Sequence, residues 1–322
     1  MRAISVHETG EPDVLRLSAA PEPIAGPGEL LVHTHATGLN FIETYQRAGV
    51  YPLPLPFTPG AEASGTVLAV GAGVTRFAPG DRICTAEGHA TYAERFVVRA
   101  DRVARVPEGG SLETAAERPL QGLTAHYLAR SVARPEAGET VLVHAGAGGV
   151  GLLLTQLLVA RGVRVLSTAS SPTKAALSRT AGAEEVLTYA DFAERARDLT
   201  GGSGVSVVYD GVGRDTFDGS LEALRVRGTL ALFGGASGQV PPVDPQRLNS
   251  GGSLNLTRPT LAHFLATPEE RAWRYHELFS AVRSGALDVR IGARFPLADA
   301  GLAHAALEGR RTTGKVLLEP SA

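Results

Sequence analysis

The chain has 322 residues, 43% of them hydrophobic and 20% charged, with a formal net charge of −2. That length predicts two domains of ordinary size with an ample core, and the composition excludes a disordered chain. The near-neutral charge gives no electrostatic footprint for nucleic acid or an anionic membrane, and a single cysteine, Cys84, excludes a disulfide scaffold or a multi-thiolate zinc site.

Residues 1–7 read as a first strand, with none of the apolar stretch and cleavage site of a secretory leader, so a cytoplasmic location is expected. Short alternating runs follow at 30–36, 65–70 and 96–98, separated by turn signals such as those at 78–82. They predict a barrel-like unit of short strands. Cys84, on an apolar run, reads as a small buried filler.

Near residue 120 the texture changes. Helical spacing at 120–131 opens a regular alternation. Strands are expected at 140–145, 163–168, 185–189, 205–210 and 228–233, and helices at 150–161, 173–181, 191–200 and 216–224. Apolar strands each followed by a helix argue a parallel sheet covered on both faces. A sixth strand is expected at 253–257, as an exposed edge suited to pairing with a second copy. A helix at 269–284, a strand at 290–295, a helix at 299–307 and a last strand at 315–318 follow. The predicted domains are 1–119 with 287–322, and 120–286.

The segment 140–160 carries no charge and is long enough to span a bilayer. Its middle, however, holds Gly146, Gly148, Gly149 and Gly151, which break a helix and point to strand, turn and second element. The spacing of Gly146, Gly148 and Gly151 matches the dinucleotide fingerprint, with Gly149 and Val150 at the start of the following helix. There the first glycine allows a tight turn, the second lets a pyrophosphate approach the backbone, and the third packs helix on strand. His144, at the strand end, reads as a packed, hydrogen-bonded residue rather than a base. An NAD site would place an acid about twenty residues further on. This chain offers Ser170, Ser171 and Lys174 instead, which suits the 2′-phosphate of NADPH.

Several blocks then carry a resemblance: NFIETY at 40–45, RAGVYP at 47–52, GLTA at 122–125, HAGAGGVG at 144–151, VYDGVG at 208–213, RPT at 258–260 and TGKV at 313–316. On these the chain resembles, along nearly its whole length, the zinc-independent quinone oxidoreductases, the zeta-crystallin-like branch of the medium-chain dehydrogenase/reductase superfamily. The resemblance implies an α/β protein: a GroES-like β-barrel domain for substrate and a Rossmann domain, a doubly wound parallel sheet, for NADPH. Zinc-binding relatives carry a cysteine at the Asn40 position and a histidine at the Ala61 position. A catalytic zinc needs three protein ligands. Asn40 and Ala61 cannot supply them, and the stretch 118–124 offers no thiolate. His33 and His35 share a strand face without a third ligand, so no metal is expected. Glu62 either orders the pocket backbone or is a solvated turn acid.

The resemblance implies NADPH-dependent reduction of a quinone by a homodimer. It places Asn40 and Tyr45 near the nicotinamide and makes Tyr51 and Arg258 pocket walls. Tyr45 hydrogen-bonds the carboxamide, donates a proton, or only packs the ring. Thr124, Val212, Phe233 and Gly234 contact the ribose or nicotinamide through main-chain groups, while Tyr189 and Arg310 close around the adenine and its phosphate. An enone or 2-alkenal reductase is the alternative activity. An NADPH-binding structural or regulatory protein is the alternative outside catalysis.

Overall fold

The computed structural model describes residues 1–107, 112, 115 and 119–320. Arg118, part of the stretch read as lacking a thiolate, lies outside them. The chain divides into two compact units: residues 1–121, 267–279 and 289–322 form the first, and residues 122–266 and 280–288 the second.

The first unit opens with β1 (Arg2–Ser5) and β2 (Arg16–Ala19), an antiparallel pair. Then come β3 (Glu29–Leu39), α1 (Phe41–Arg47), β4 (Glu62–Val70), β5 (Arg82–Thr85), β6 (Arg95–Arg99) and β7 (Ala104–Arg105). β3 pairs along its length with β4, and bulges interrupt the register between Leu31 and Val32 and between Thr34 and Ala36. Each bulge bends the strand and sharpens its twist. One apolar cluster, including Leu30, Val32, Phe77, Ile83 and Phe96, fills this sheet. Cys84, on β5, is fully buried, as its apolar neighbours suggest.

α2 (Pro119–Tyr127) leads into the second unit, whose strands are β8 (Thr140–Val143), β9 (Arg164–Thr168), β10 (Glu185–Leu187), β11 (Val205–Asp210), β12 (Leu224–Leu232) and β13 (Asn255–Thr257). They are joined by α3 (Gly149–Val159), α4 (Pro172–Thr180), α5 (Phe192–Asp198), α6 (Phe217–Ala223) and α7 (Gln246–Ser250). The sheet is wholly parallel in the order β10-β9-β8-β11-β12-β13, with β13 at one edge. The strand order reverses between β8 and β11, and ligands bind open α/β sheets at the carboxyl ends beside such a reversal. The expected helix at 120–131 changes character: α2 ends at Tyr127 and a π turn, Leu128–Val132, continues it. The wider turn is held by side-chain donors, since Tyr209 Oη donates to the Leu128 carbonyl at 3.4 Å and Arg161 Nη1 to that of Ala129 at 2.5 Å.

The chain closes with α8 (Pro268–Arg283), β14 (Ile291–Pro296), α9 (Ala300–Glu308) and β15 (Lys315–Glu319). The expected single return at 287 is replaced by two, because residues 267–279 already pack with the first unit. The cause is electrostatic and steric: Arg271 forms a two-pronged ion pair with Glu87, and Tyr275 is buried. Among the described residues no helix is long and apolar enough to cross a membrane.

Candidate functional site

In the first unit, strand pairing assembles a polar cluster that the sequence reading missed. β15 lies antiparallel to β3 with Leu317 opposite Gly38 and Val316 opposite Leu39, which carries Lys315 to Asn40. β4 sets Glu62 opposite Gly38. Lys315 and Glu62 are fully buried and ion-paired. The Glu62 carboxylate also accepts Asn40 Nδ2 at 2.8 Å and the Leu120 amide at 2.8 Å. Asn40 Oδ1 in turn accepts Lys315 Nζ at 2.9 Å and Gln121 Nε2 at 3.1 Å. Gly38 leaves the room: an added Cβ would collide with the Glu62 carboxylate and the Lys315 ammonium. Of the two readings of Glu62, burial and these bonds support the ordering one.

This geometry answers why Asn40 and Glu62 stand together. The oxygens of both side chains are already engaged by the chain's own ammonium and amides. Among the described residues no group of three or more His, Cys, Asp or Glu is placed to hold a metal ion, and His33 is exposed.

Asn40 also starts α1, its backbone amide donating to Glu43 Oε2 at 2.8 Å. Glu43 is fully buried and its other oxygen has no partner. Burial pushes its carboxyl up to about 7, with nearby Lys315 pulling it down and Glu62 pushing it up. A folded value above the ordinary 4.5 means the native state holds the proton more tightly. The resulting stability is fully present below 4.5 and is lost as pH rises through about 7. Up to about 3 kcal/mol is therefore expected to disappear across that window. Glu43→Gln should flatten the loss. Denaturant titrations from about pH 5 to 8 check this, and equal slopes in both proteins would contradict it.

α1 presents Tyr45, half-buried, 6.1 Å from the Phe41 ring and 5.4 Å from an edge-on Tyr51 ring. Tyr45 and Tyr51 are thus brought together, on and just after the helix that Asn40 starts. Arg258 belongs to the second unit, where its Nη1 donates to the Leu232 carbonyl at 3.1 Å.

The second unit carries the glycine cradle. β8 ends, Ala145 takes a left-handed φ of 52°, and Gly148 caps α3 in extended conformation. The left-handed residue of the turn is Ala145. Gly146 is needed for space instead, since a Cβ there would collide with Ser167 Oγ and Ser178 Oγ. Gly151 lets α3 approach the turn, because a Cβ would strike the Ala145 carbonyl. Gly148 faces more open space, with only the Ala145 carbonyl, 3.1 Å away, near an added Cβ. The first turn of α3, at Gly149 and Val150, contains no acid, so its free amides and dipole favour an anion.

Beyond β9, Ser171 caps α4 by accepting the Lys174 amide at 3.3 Å, which leaves its hydroxyl proton for another acceptor. Ser170 is exposed and Lys174 half-buried in the first turn. Tyr189 stands two residues past β10, its hydroxyl accepting the Ala145 amide at 3.2 Å, so it touches the cradle itself. Thr124 is buried on α2. Arg310 is exposed, after α9 in the first unit.

Among the main-chain groups of Val212, Phe233 and Gly234, the amide protons are engaged within the chain. Val212 donates to Asp210 Oδ1 at 2.8 Å, while Phe233 and Gly234 donate to the Asp210 carbonyl at 2.8 and 3.3 Å. The buried Asp210 carboxylate must collect donors and takes the Val212 amide, while the Asp210 main-chain carbonyl holds those of Phe233 and Gly234.

The model of the alcohol dehydrogenase GroES-like domain matches residues 26–108, and that of zinc-binding dehydrogenase residues 149–273. The chain is 44% identical to the quinone oxidoreductase of Pseudomonas aeruginosa over 315 residues, covering 97% of each. The chain belongs to the quinone oxidoreductase family, in the medium-chain dehydrogenase/reductase superfamily. It is also similar to a mycobacterial protein solved with NADPH: 55% identity, TM-score 0.97, covering 99% of this chain and 100% of that one. Within the same family range it is 37% identical to a 2-haloacrylate reductase of a Burkholderia species, covering 99% of each. The fold is accordingly a Rossmann sheet with a GroES-like β domain.

Proposed function

We infer that the protein is an oxidoreductase that passes hydride from NADPH to a quinone without a metal. One observation carries the metal-free reading: the oxygens of Asn40 and Glu62 are engaged by Lys315 and by neighbouring amides. NADPH supplies the hydride when bound. The cradle residues Gly146, Gly148, Gly149, Val150 and Gly151 seat its pyrophosphate, and Ser170, Ser171 and Lys174 hold its 2′-phosphate. Thr124, Val212, Phe233, Gly234, Tyr189 and Arg310 complete the cofactor contacts. Asn40 orders the first unit's pocket, where Tyr45 packs the nicotinamide and Tyr51 walls the acceptor. A quinone suits such a site because the added charge spreads into an aromatic ring and needs no strong Lewis acid. Positioning and exclusion of water are the chain's contribution.

The Burkholderia relative favours a second reading, reduction of an activated alkene. A spectrophotometric screen of 1,2-naphthoquinone against a simple enal, with NADPH and NADH in parallel, separates them. Rapid NADPH oxidation by the quinone is expected. Turnover of the enal alone would favour the second reading, and tight NADPH binding with neither acceptor used would favour a structural or regulatory role.

The same reading includes a cytoplasmic homodimer. β13 supports the assembly: it is a sheet edge with unpaired backbone groups, preceded by a left-handed Ser253. Sedimentation at micromolar concentration should show a dimer, and a monomer there would oppose it.

A further inference from the structure

His144 lies within the second unit, buried, with each ring nitrogen bonded to a hydroxyl. Nδ1 is 3.0 Å from Thr168 Oγ1 and Nε2 is 3.0 Å from Ser220 Oγ. The proton direction follows from the partners. The Asp210 carboxylate accepts Val212 and Gly213 amides on one oxygen, and Thr216 Oγ1 and Ser220 Oγ on the other. Ser220 gives its only hydroxyl proton to Asp210, so it accepts from His144 Nε2–H. With the proton of a neutral ring on Nε2, Nδ1 is an acceptor, so the Thr168 hydroxyl, which also accepts the Ala145 amide at 3.2 Å, donates to it. The ring is therefore the neutral Nε2–H tautomer, wedged edge-on to Phe192 at 4.7 Å. Burial holds the imidazole below its ordinary range, with Asp210 opposing.

Thr168, His144 and Asp210 stand at or just beyond the carboxyl ends of three adjacent strands, β9, β8 and β11. At one end the relay holds Ala145, the left-handed residue that enters the cradle. At the other it holds Val212 and Gly213, the loop after β11. We propose that His144 is a positioning residue for NADPH: its hydrogen-bond relay, converging on Asp210, ties the pyrophosphate cradle to the loop beside the nicotinamide ribose and fixes their spacing. This rests on the cofactor reading above, and it assigns His144 no proton transfer to substrate.

The test combines a spectrum with two variants. In the cofactor-free wild type, nitrogen-15 NMR should show His144 as the neutral Nε2–H tautomer, unchanged between about pH 6 and 8. His144→Leu removes both bonds and should raise the NADPH dissociation constant by about tenfold or more, with a fall in kcat. His144→Gln carries a donor and an acceptor on one planar head and should recover most of both. The relay is overturned by a charged or Nδ1–H ring. It is equally overturned if folded His144→Leu protein binds NADPH as tightly and turns over as fast as the wild type, or if both variants lose affinity alike. A wild type that binds no NADPH would instead sink the cofactor reading, while the tautomer still reports on the relay.

Discussion

Lys315→Met should lower the unfolding free energy by about 3–5 kcal/mol, a large part of the stability of a typical domain. The methionine fills similar space, but it strands the Glu62 carboxylate in a fully buried site. Asn40 and Leu120 still donate to that carboxylate, yet no opposite charge remains bonded to it. Asn40 Oδ1 also loses one of its two donors. The double variant Lys315→Met with Glu62→Gln should recover a good part of the loss, because the stranded charge is then gone. Denaturant unfolding of the four proteins in this cycle measures the coupling. A single-variant loss under about 1 kcal/mol would mean that the pair is solvated in practice.

Lys174→Ala should weaken NADPH by about ten- to a hundredfold, since each charge-assisted bond to a phosphate is worth roughly 1.5–3 kcal/mol. NADH, lacking the phosphate, should be nearly unaffected. Among the 31 basic residues only Lys174 and Lys315 are lysines. One is buried in the ion pair with Glu62, and the other lies half-buried in the first turn of α4, where a cation gains nothing from the helix dipole. Ser171 sits beside it with its hydroxyl proton available. Michaelis constants for both cofactors, wild type and variant, decide this. Equal weakening of NADPH and NADH, or a wild type that prefers NADH, would contradict the phosphate clamp.

The parallel sheet was legible because β8 to β12 alternate with helices at short range and are rich in apolar residues. The cradle was legible because its glycines act on their immediate neighbours. The Lys315 cluster was not, since its ion pair joins residues 253 apart and depends on β15 lying beside β3. The one sequence signal was a lysine opening an apolar strand in a chain that uses arginine for all but two of its basic residues. The early return of residues 267–279 was hidden for the same reason: it hangs on Arg271 meeting Glu87, 184 residues away. The bond from the Val212 amide to the Asp210 carboxylate was not legible, because Asp210 reads in the sequence only as the last residue of a strand. An acid inside so apolar a run has to be satisfied locally, and its neighbours are the first donors available.

The central claim is metal-free hydride transfer from NADPH to a quinone. Its most direct measurement is the rate of NADPH oxidation by 1,2-naphthoquinone, taken on protein whose metal content is determined before and after chelator treatment. The predicted result is a quinone-dependent rate with no stoichiometric zinc, unchanged by the chelator. A rate that the chelator abolishes and added zinc restores would contradict it.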